Sequence, residues 1–211
     1  DGCFGKEISE ERLIEIFKEL EDSGAENINL VSPTQYALQL ADTLSKYKPG
    51  IPVVYNTGGY DSVESLKALD GLIDIYLTDM KYVSPSVSKK YSRAENYFEV
   101  CSKAVLEMRR QQPEDIFENG LMKKGMIIRH LVLPGNISQG MKMLDWVDEN
   151  LSNQTIISLM GQYMPCAKAA DYPTINRKIS KREYDTVILH AEKLGFENVY
   201  IQELDSSSQE Y

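Results

Sequence analysis

The sequence predicts an α/β protein, a partial (β/α) barrel of parallel strands with its helices on the outside. Short apolar runs alternate with amphipathic helical stretches along 211 residues, the pattern of a parallel sheet covered by helices. Four of those runs end in small polar clusters: Ser32-Pro33-Thr34, Asn56-Thr57-Gly58-Gly59, Asp79-Met80-Lys81, and Arg129 within the run 127–135. Parallel sheets and barrels bind ligands at the carboxyl ends of their strands, so the polar chemistry sits where such folds use it. No strand is followed by a dinucleotide-binding glycine fingerprint, which favours a barrel over a doubly wound sheet.

The elements follow in order. Ser9 suits a helix N-cap, with Glu10 and Glu11 in the first turn where the helix dipole favours them. Leu13, Ile16, Phe17 and Leu20 then keep helical spacing up to Gly24. Residues 27–31 read as the first strand. Pro33 suits a first helical position after Ser32, and Ala37, Leu40, Ala41 and Leu44 form that helix's apolar stripe. Pro49-Gly50 turns the chain into a strand over 51–55; a short helix covers 62–69 and a third strand 72–77. Residues 95–110 place Tyr97, Cys101, Ala104, Val105 and Met108 on one helical face. A near-continuous apolar strand spans 126–133. Ser138 is read as the cap of the next helix, and a strand follows over 155–160. Two prolines and weak periodicity make 161–179 a loop. Ser180 and Glu183 spell a capping box for a helix that Gly195 ends, and 198–202 is a last strand. Residues 1–204 are expected to form a single partial-barrel domain and 205–211 a disordered tail.

The formal net charge is -9, which argues against a nucleic-acid partner. No apolar run approaches the ~20 residues of a membrane span. The three cysteines, Cys3, Cys101 and Cys166, are scattered. Without secretion features such a set points to a reducing, cytoplasmic setting. Cys101 belongs to a helical core stripe, and no base accompanies Cys166. The chain opens on Asp1 rather than Met and reads as a fragment.

Asp79 and Lys81 flank Met80 at a strand end, where residues two apart share a face. A carboxylate and an ammonium at that spacing suit a zwitterionic amino-acid group; a surface ion pair is the alternative. The Gly58-Gly59 pair permits a tight turn and a close backbone approach. Arg129 inside an apolar strand requires a partner, either a ligand or a core acid. His130 should face the other way as a structural histidine. Ser32 and Thr34 stand at an expected helix N-terminus, which attracts anionic groups.

Taken in order, these clusters resemble the radical S-adenosylmethionine superfamily, in particular the branch of the pyruvate formate-lyase activating enzyme. Tyr55-Asn56-Thr57-Gly58-Gly59-Tyr60 is similar to that family's Asp-Thr-Asn-Gly-aromatic strand end. Leu77-Thr78-Asp79-Met80-Lys81 is similar to its Asp-Leu-Lys strand end, and Ile128-Arg129-His130-Leu131-Val132-Leu133-Pro134-Gly135 to its Ile-Arg-aromatic-Val-Val-Val-Pro-Gly strand. Residues 29–36 and 158–163 resemble a subgroup of these homologues. The resemblance implies a barrel holding S-adenosylmethionine against a 4Fe-4S cluster, with a 5′-deoxyadenosyl radical abstracting hydrogen from a substrate, a backbone glycine of a glycyl-radical enzyme in the activating branch. An electron donor would serve the cluster. By position, Asp79 and Lys81 would meet the amino and carboxylate ends of the methionyl group, with Asn56 and Thr57 beside the carboxylate. Ser32 and Thr34 would stand where the family has Gly-Gly-Glu, and Arg129 would face the ribose or carboxylate. The chain departs from the family in lacking its Cys-x-x-x-Cys-x-x-Cys loop, and Asn56 stands where the family has an acid. The expected fold is therefore a barrel missing its first strand, with the cluster carried only by the full-length protein and this chain alone inactive. Two other readings use the same mouth: a non-catalytic barrel binding a small molecule or protein, and an aldolase-like barrel with Lys81 as the Schiff-base nucleophile.

Overall fold

The computed structural model describes residues 5–202 and 204. The expected tail 205–211 and Cys3 lie outside the described residues.

Helix α1 (Glu10–Asp22) starts as its sequence requires: the Ser9 hydroxyl accepts from Arg12 N at 3.2 Å. Strand β1 (Ile28–Val31) follows, then a 3-10 turn at Thr34–Tyr36 and helix α2 (Ala37–Lys46). Strand β2 (Val53–Thr57) leads to α3 (Val63–Ala68), and β3 (Ile75–Asp79) to α4 (Pro85–Ser92) and α5 (Tyr97–Gln111). A short strand β4 (Ile116–Glu118) turns into the long β5 (Leu121–Leu131). Helix α6 (Ile137–Asn150), β6 (Ile156–Met160), α7 (Lys181–Leu194) and β7 (Val199–Ile201) complete the order.

The seven strands make a sheet in the order β1-β2-β3-β5-β6-β7, with β4 on β5. Every neighbouring pair along that order is parallel, and β4–β5 is antiparallel. This is the expected partial barrel, an open α/β sheet with helices around it.

Register divides the sheet into two faces. Tyr55, Tyr76, Met126, Ile128, Ile157 and Leu159 point outward and are wholly buried, because α2, α3, α5, α6 and α7 lay Leu44, Leu66, Cys101, Met108, Leu144 and Val187 against them. Each large apolar side chain so buried contributes roughly 1.5–3 kcal/mol. The alternate residues, among them Asn56, Leu77, Asp79, Ile127, Arg129 and Ser158, line the inner face and are only half-buried. Parallel pairing aligns Asp79 with Arg129 and Arg129 with Ser158. The polar residues thus form a row at the carboxyl ends, above rows of Ile and Leu.

Besides shifts of one to three residues at strand ends and a 3-10 turn at Ala167–Asp171 inside the expected loop 161–179, the structure departs from the sequence reading at four places. Ser32 is not a cap: its backbone is left-handed (φ 54°), its amide extends the sheet by bonding Asn56 O at 2.8 Å, and α2 begins only at Ala37. Asn136, not Ser138, holds the N-cap position of α6, and neither residue's side chain caps it. Helix α4 lies between the expected strand 72–77 and helix 95–110, where the sequence reading names no element; Pro85 opens it at N1 and Arg93 closes it in a left-handed conformation. The β4–β5 hairpin likewise falls where the sequence reading names no element, and β5 begins at Leu121 rather than at 126. The hairpin turn is Asn119-Gly120, both at positive φ, the pair that tight hairpins demand. Asp115 ties it down, taking two 3.1 Å bonds from Arg109 and one of 2.9 Å from Met126 N. The capping box appears as read, with both reciprocal Ser180–Glu183 bonds present and Gly195 at φ 79°.

His130 is buried on the outer face, its Nδ1 2.6 Å from Met80 O. Burial lowers its pKa below the usual histidine value. The unfolded chain therefore takes up a proton near pH ~6.5 that the folded chain refuses, so stability falls as pH drops below that point. Denaturant unfolding at pH 5.5 should show lower stability than at pH 7.5, by at most about 1.4 kcal/mol. His130→Gln, less stable throughout, should show a flatter profile across this window; an equally steep one would assign the loss elsewhere.

Candidate functional site

Three adjacent strands bring Asn56, Asp79, Lys81 and Arg129 into one connected group. Arg129 Nε donates to Asp79 Oδ1 at 2.7 Å, and its terminal nitrogen donates to Asn56 Oδ1 at 2.8 Å. Lys81 Nζ stands 3.4 Å from the other Asp79 oxygen. The Asp79 and Arg129 side chains are 17% and 24% exposed, and that of Lys81 46%. The group is therefore reachable by a ligand, yet partly withdrawn from water, where charge-assisted bonds gain strength. It presents carboxylate, ammonium, guanidinium and amide together, a donor set suited to a zwitterion.

Thr57 and Thr34 are placed differently. Thr57 is 1% exposed and points behind the sheet, where its hydroxyl donates to Asp61 Oδ2 at 2.5 Å. The Thr34 hydroxyl lies 3.2 Å from that of Thr57, and Gly59 N donates to Thr57 at 3.2 Å. Asp61 also accepts from the Tyr55 hydroxyl at 2.9 Å, and burial with this carboxylate pushes the Tyr55 phenol up. The two threonines thus brace the β2 end rather than line the mouth. Ser32 is exposed at the end of β1.

Sequence reasoning missed the residues that hold this group in place. Tyr97 on α5 is one: its hydroxyl accepts from Lys81 N at 3.0 Å and lies 2.9 Å from Gly58 O and 3.1 Å from Asp79 O. One phenol thereby ties the β2 and β3 ends together. Burial pushes its pKa up, so it stays a neutral donor. Cys101, one turn further, donates its thiol to Asp79 O at 3.5 Å, and burial pushes that thiol up to about 12. Asp61 is the second omission. It lies just past a glycine turn, where sequence offers no sign of burial. Gln139 is the third: its Oε1 accepts from Val83 N at 3.0 Å and Ser84 N at 2.8 Å, fixing the chain after Lys81.

Two clefts open at the opposite end of the sheet, one lined by Asp115, Phe117, Gln154 and Tyr200, the other by Lys48, Gly50, Asp74 and Lys123. Both lie at the amino ends of the strands, the end such folds use for stability rather than chemistry. Among the described residues no group of three His, Cys, Asp or Glu side chains is placed to hold a metal ion.

A parallel partial barrel with a zwitterion-matching polar row at its carboxyl mouth is the class of protein that fold and site define. No family model matches the chain. An uncharacterized protein of Methanocaldococcus jannaschii is 32% identical over 179 residues, covering 83% of this chain and 49% of that protein. The chain thus spans about half the length of the curated relative it matches. Among solved structures, a domain of a pyruvate-formate lyase-activating enzyme from Bacteroides vulgatus superposes with a TM-score of 0.60 at 15% identity, covering 84% of this chain and 98% of that one. Streptococcus suis SuiB bound to S-adenosylmethionine superposes with a TM-score of 0.58 at 13% identity, covering 99% of this chain and 47% of that one. The chain therefore shares the fold of these two proteins.

Gly59 is the backbone hinge of the site. It sits at φ 79°, and a Cβ there would lie 2.1 Å from Asp79 O and 2.9 Å from Cys101 Sγ. Gly59→Ala should cost about 1–3 kcal/mol through left-handed strain and this clash. Gly71→Ala has the same φ but meets nothing within 4 Å, so it should carry only the left-handed strain, about 1–2 kcal/mol, and cost less than Gly59→Ala. Equal losses for the two in denaturant titrations would show that the contact with Asp79 is unimportant.

Proposed function

We propose that this chain is the S-adenosylmethionine-holding barrel of a radical S-adenosylmethionine protein of the glycyl-radical activating kind. The observation that carries the reading is the Asn56–Arg129–Asp79–Lys81 row at the carboxyl mouth. The fold it shares with SuiB, which is bound to S-adenosylmethionine in its solved structure, supports it.

In this reading Asp79 receives the ligand's ammonium and Lys81 its carboxylate. Arg129 reaches the carboxylate or the ribose while holding Asp79 in place, and Asn56 fixes the far edge of the guanidinium. Thr57 and Thr34 act from behind through Asp61 and the Gly59 turn, and Ser32 lies beside the amino end. Bound S-adenosylmethionine supplies a sulfonium that one electron can cleave for hydrogen abstraction.

The described residues fit S-adenosylmethionine but not a 4Fe-4S cluster. Cys101 is buried with its thiol pushed up to about 12, and Cys166 is exposed far along the chain. The cluster, the electron donor and a protein substrate such as a glycyl-radical enzyme are proposed for the full-length protein, and the chain alone for binding without turnover. Residues 1–204 act as one domain in this proposal, in a cytoplasmic setting and without nucleic acid or membrane. Among the described residues no helix is long and apolar enough to cross a membrane.

Calorimetric titration of this chain with S-adenosylmethionine tests the reading. Asp79→Asn and Lys81→Ala should each weaken binding by about one to two decades, the loss of one charge-assisted contact worth about 1.5–3 kcal/mol. Circular dichroism should report intact folding, since neither side chain enters the apolar core. Unchanged affinity in both variants, or no binding to the wild-type chain, would sink the reading.

A further inference from the structure

The chain as a whole carries 23 Lys and Arg against 32 Asp and Glu. Two segments invert that balance. Residues 80–96 and 161–182, which leave the carboxyl ends of β3 and β6, together hold nine Lys and Arg against two acids, Glu95 and Asp171. All nine basic residues are exposed. Lys81, Lys89, Arg177 and Lys181 are paired with carboxylates. Lys90, Arg93, Lys168, Lys178 and Arg182 have no carboxylate partner among the described residues.

The two segments are held against each other. Tyr91 of α4 and Tyr172 meet edge to face with centroids 5.2 Å apart, and Lys90 Nζ lies 5.1 Å from the first ring and 5.8 Å from the second. Arg177 grips both oxygens of Glu183 at 2.7 Å, and Glu183 also accepts from Gly135 N at 2.7 Å. The second segment is thus pinned to the turn after β5, and the positive charge is arranged before any partner arrives. Arg177 is neutralised by Glu183, whereas Lys90 keeps its charge over the two rings without a carboxylate. Arg93, Lys168, Lys178 and Arg182 are exposed on the same two segments.

We propose that this basic rim docks an acidic polypeptide segment across the barrel mouth. The rest of the molecule is strongly negative, so an acidic partner is repelled elsewhere and drawn to this one place, which sets both orientation and encounter rate. A short segment satisfies that constraint. A long polyanion such as a nucleic acid extends past the rim onto repelling surface. The destination over the mouth rests on the reading of the mouth as the S-adenosylmethionine site, whereas the docking rests on charge and geometry alone.

The probe is a short fluorescent peptide of alternating Glu and Ala, with anisotropy as the readout. Binding to the wild-type chain should weaken steeply with added salt. The triple variant Lys90→Glu, Lys178→Glu, Arg182→Glu should weaken it at least about ten-fold. The control Lys67→Glu, Lys124→Glu, Lys193→Glu changes the net charge equally at exposed positions toward the amino ends of the strands, and should leave binding within about two-fold. Equal loss in both triple variants overturns the proposal, as does tighter rim-dependent binding of a single-stranded oligonucleotide or an anionic vesicle. S-adenosylmethionine titration of the rim variant separates the two proposals. It should match wild type, because none of the three residues touches the Asp79 group. A chain that binds the peptide but not S-adenosylmethionine keeps the docking and removes its destination.

Discussion

The Arg129–Asp79 pair is the contact on which the mouth depends. A guanidinium on a half-buried strand position cannot stand unanswered, and removing one partner of such a pair costs far more than the pair itself contributes. The answer comes from the neighbouring strand at the same level, so it exists only while β3 and β5 keep their register. The outer face keeps it. His130 reaches Met80 O at 2.6 Å, Met80 N donates to Arg129 O at 2.9 Å, and Tyr97 and Cys101 gather around Asp79 O. Both strand ends are therefore fixed from behind by side chains that no ligand touches. The charged groups in front inherit that precision without strain of their own.

The order of helices and parallel strands was legible because each side of the sheet writes its own period: Tyr55, Tyr76, Met126 and Ile157 had to be apolar, and the helix stripes had to match them. Asp79, Lys81 and Arg129 were legible as a group because polar residues interrupt apolar runs at strand ends. Thr57 was not separable from Asn56 in sequence. Adjacent strand residues face opposite ways, but which of the two faces the mouth depends on where the helices pack. Tyr97 and Asp61 escaped for a related reason. A tyrosine on an apolar helical stripe satisfies the core pattern whether or not its hydroxyl reaches across to a strand end. An aspartate in a glycine-rich turn looks solvated until the turn folds under the sheet. The β4–β5 hairpin did carry a local signal in Asn119-Gly120. It was obscured because β4 is only three residues long and the start of the eleven-residue β5 is broken by Lys123 and Lys124.

Charge is distributed along the same division. The elements that build the fold carry most of the acids, many of them in exposed pairs such as Arg12–Glu19 and Lys103–Glu99 that add little stability. The segments after β3 and β6 carry nine of the 23 bases against two acids. Packing does not ask for this excess, since the contact between the two segments is the Tyr91–Tyr172 ring pair and the Arg177–Glu183 pair holds the second, leaving five of the nine bases without a carboxylate among the described residues.

The two faces of the sheet therefore divide the work between folding and binding. Substitutions at the outer positions, each close to zero exposure, act through lost burial and cavities, commonly about 2–5 kcal/mol for a large-to-small change. Inner-face positions at the mouth pack against few neighbours and remove little apolar area from water. Their replacement leaves the helices and the outer strand face untouched. Arg129 is the exception, because it stands on the inner face yet spans three strands: its loss would leave the Asp79 carboxylate half-buried and Asn56 without its donor. Lys81 is consequently a better reporter of binding than Arg129 or Asp79, since loss of Asp79 leaves the Arg129 guanidinium without its carboxylate. A loss of affinity at Arg129 would mix a missing ligand contact with a loosened strand end, whereas Lys81, with its exposed ammonium and its backbone held by Tyr97, reports the ligand alone.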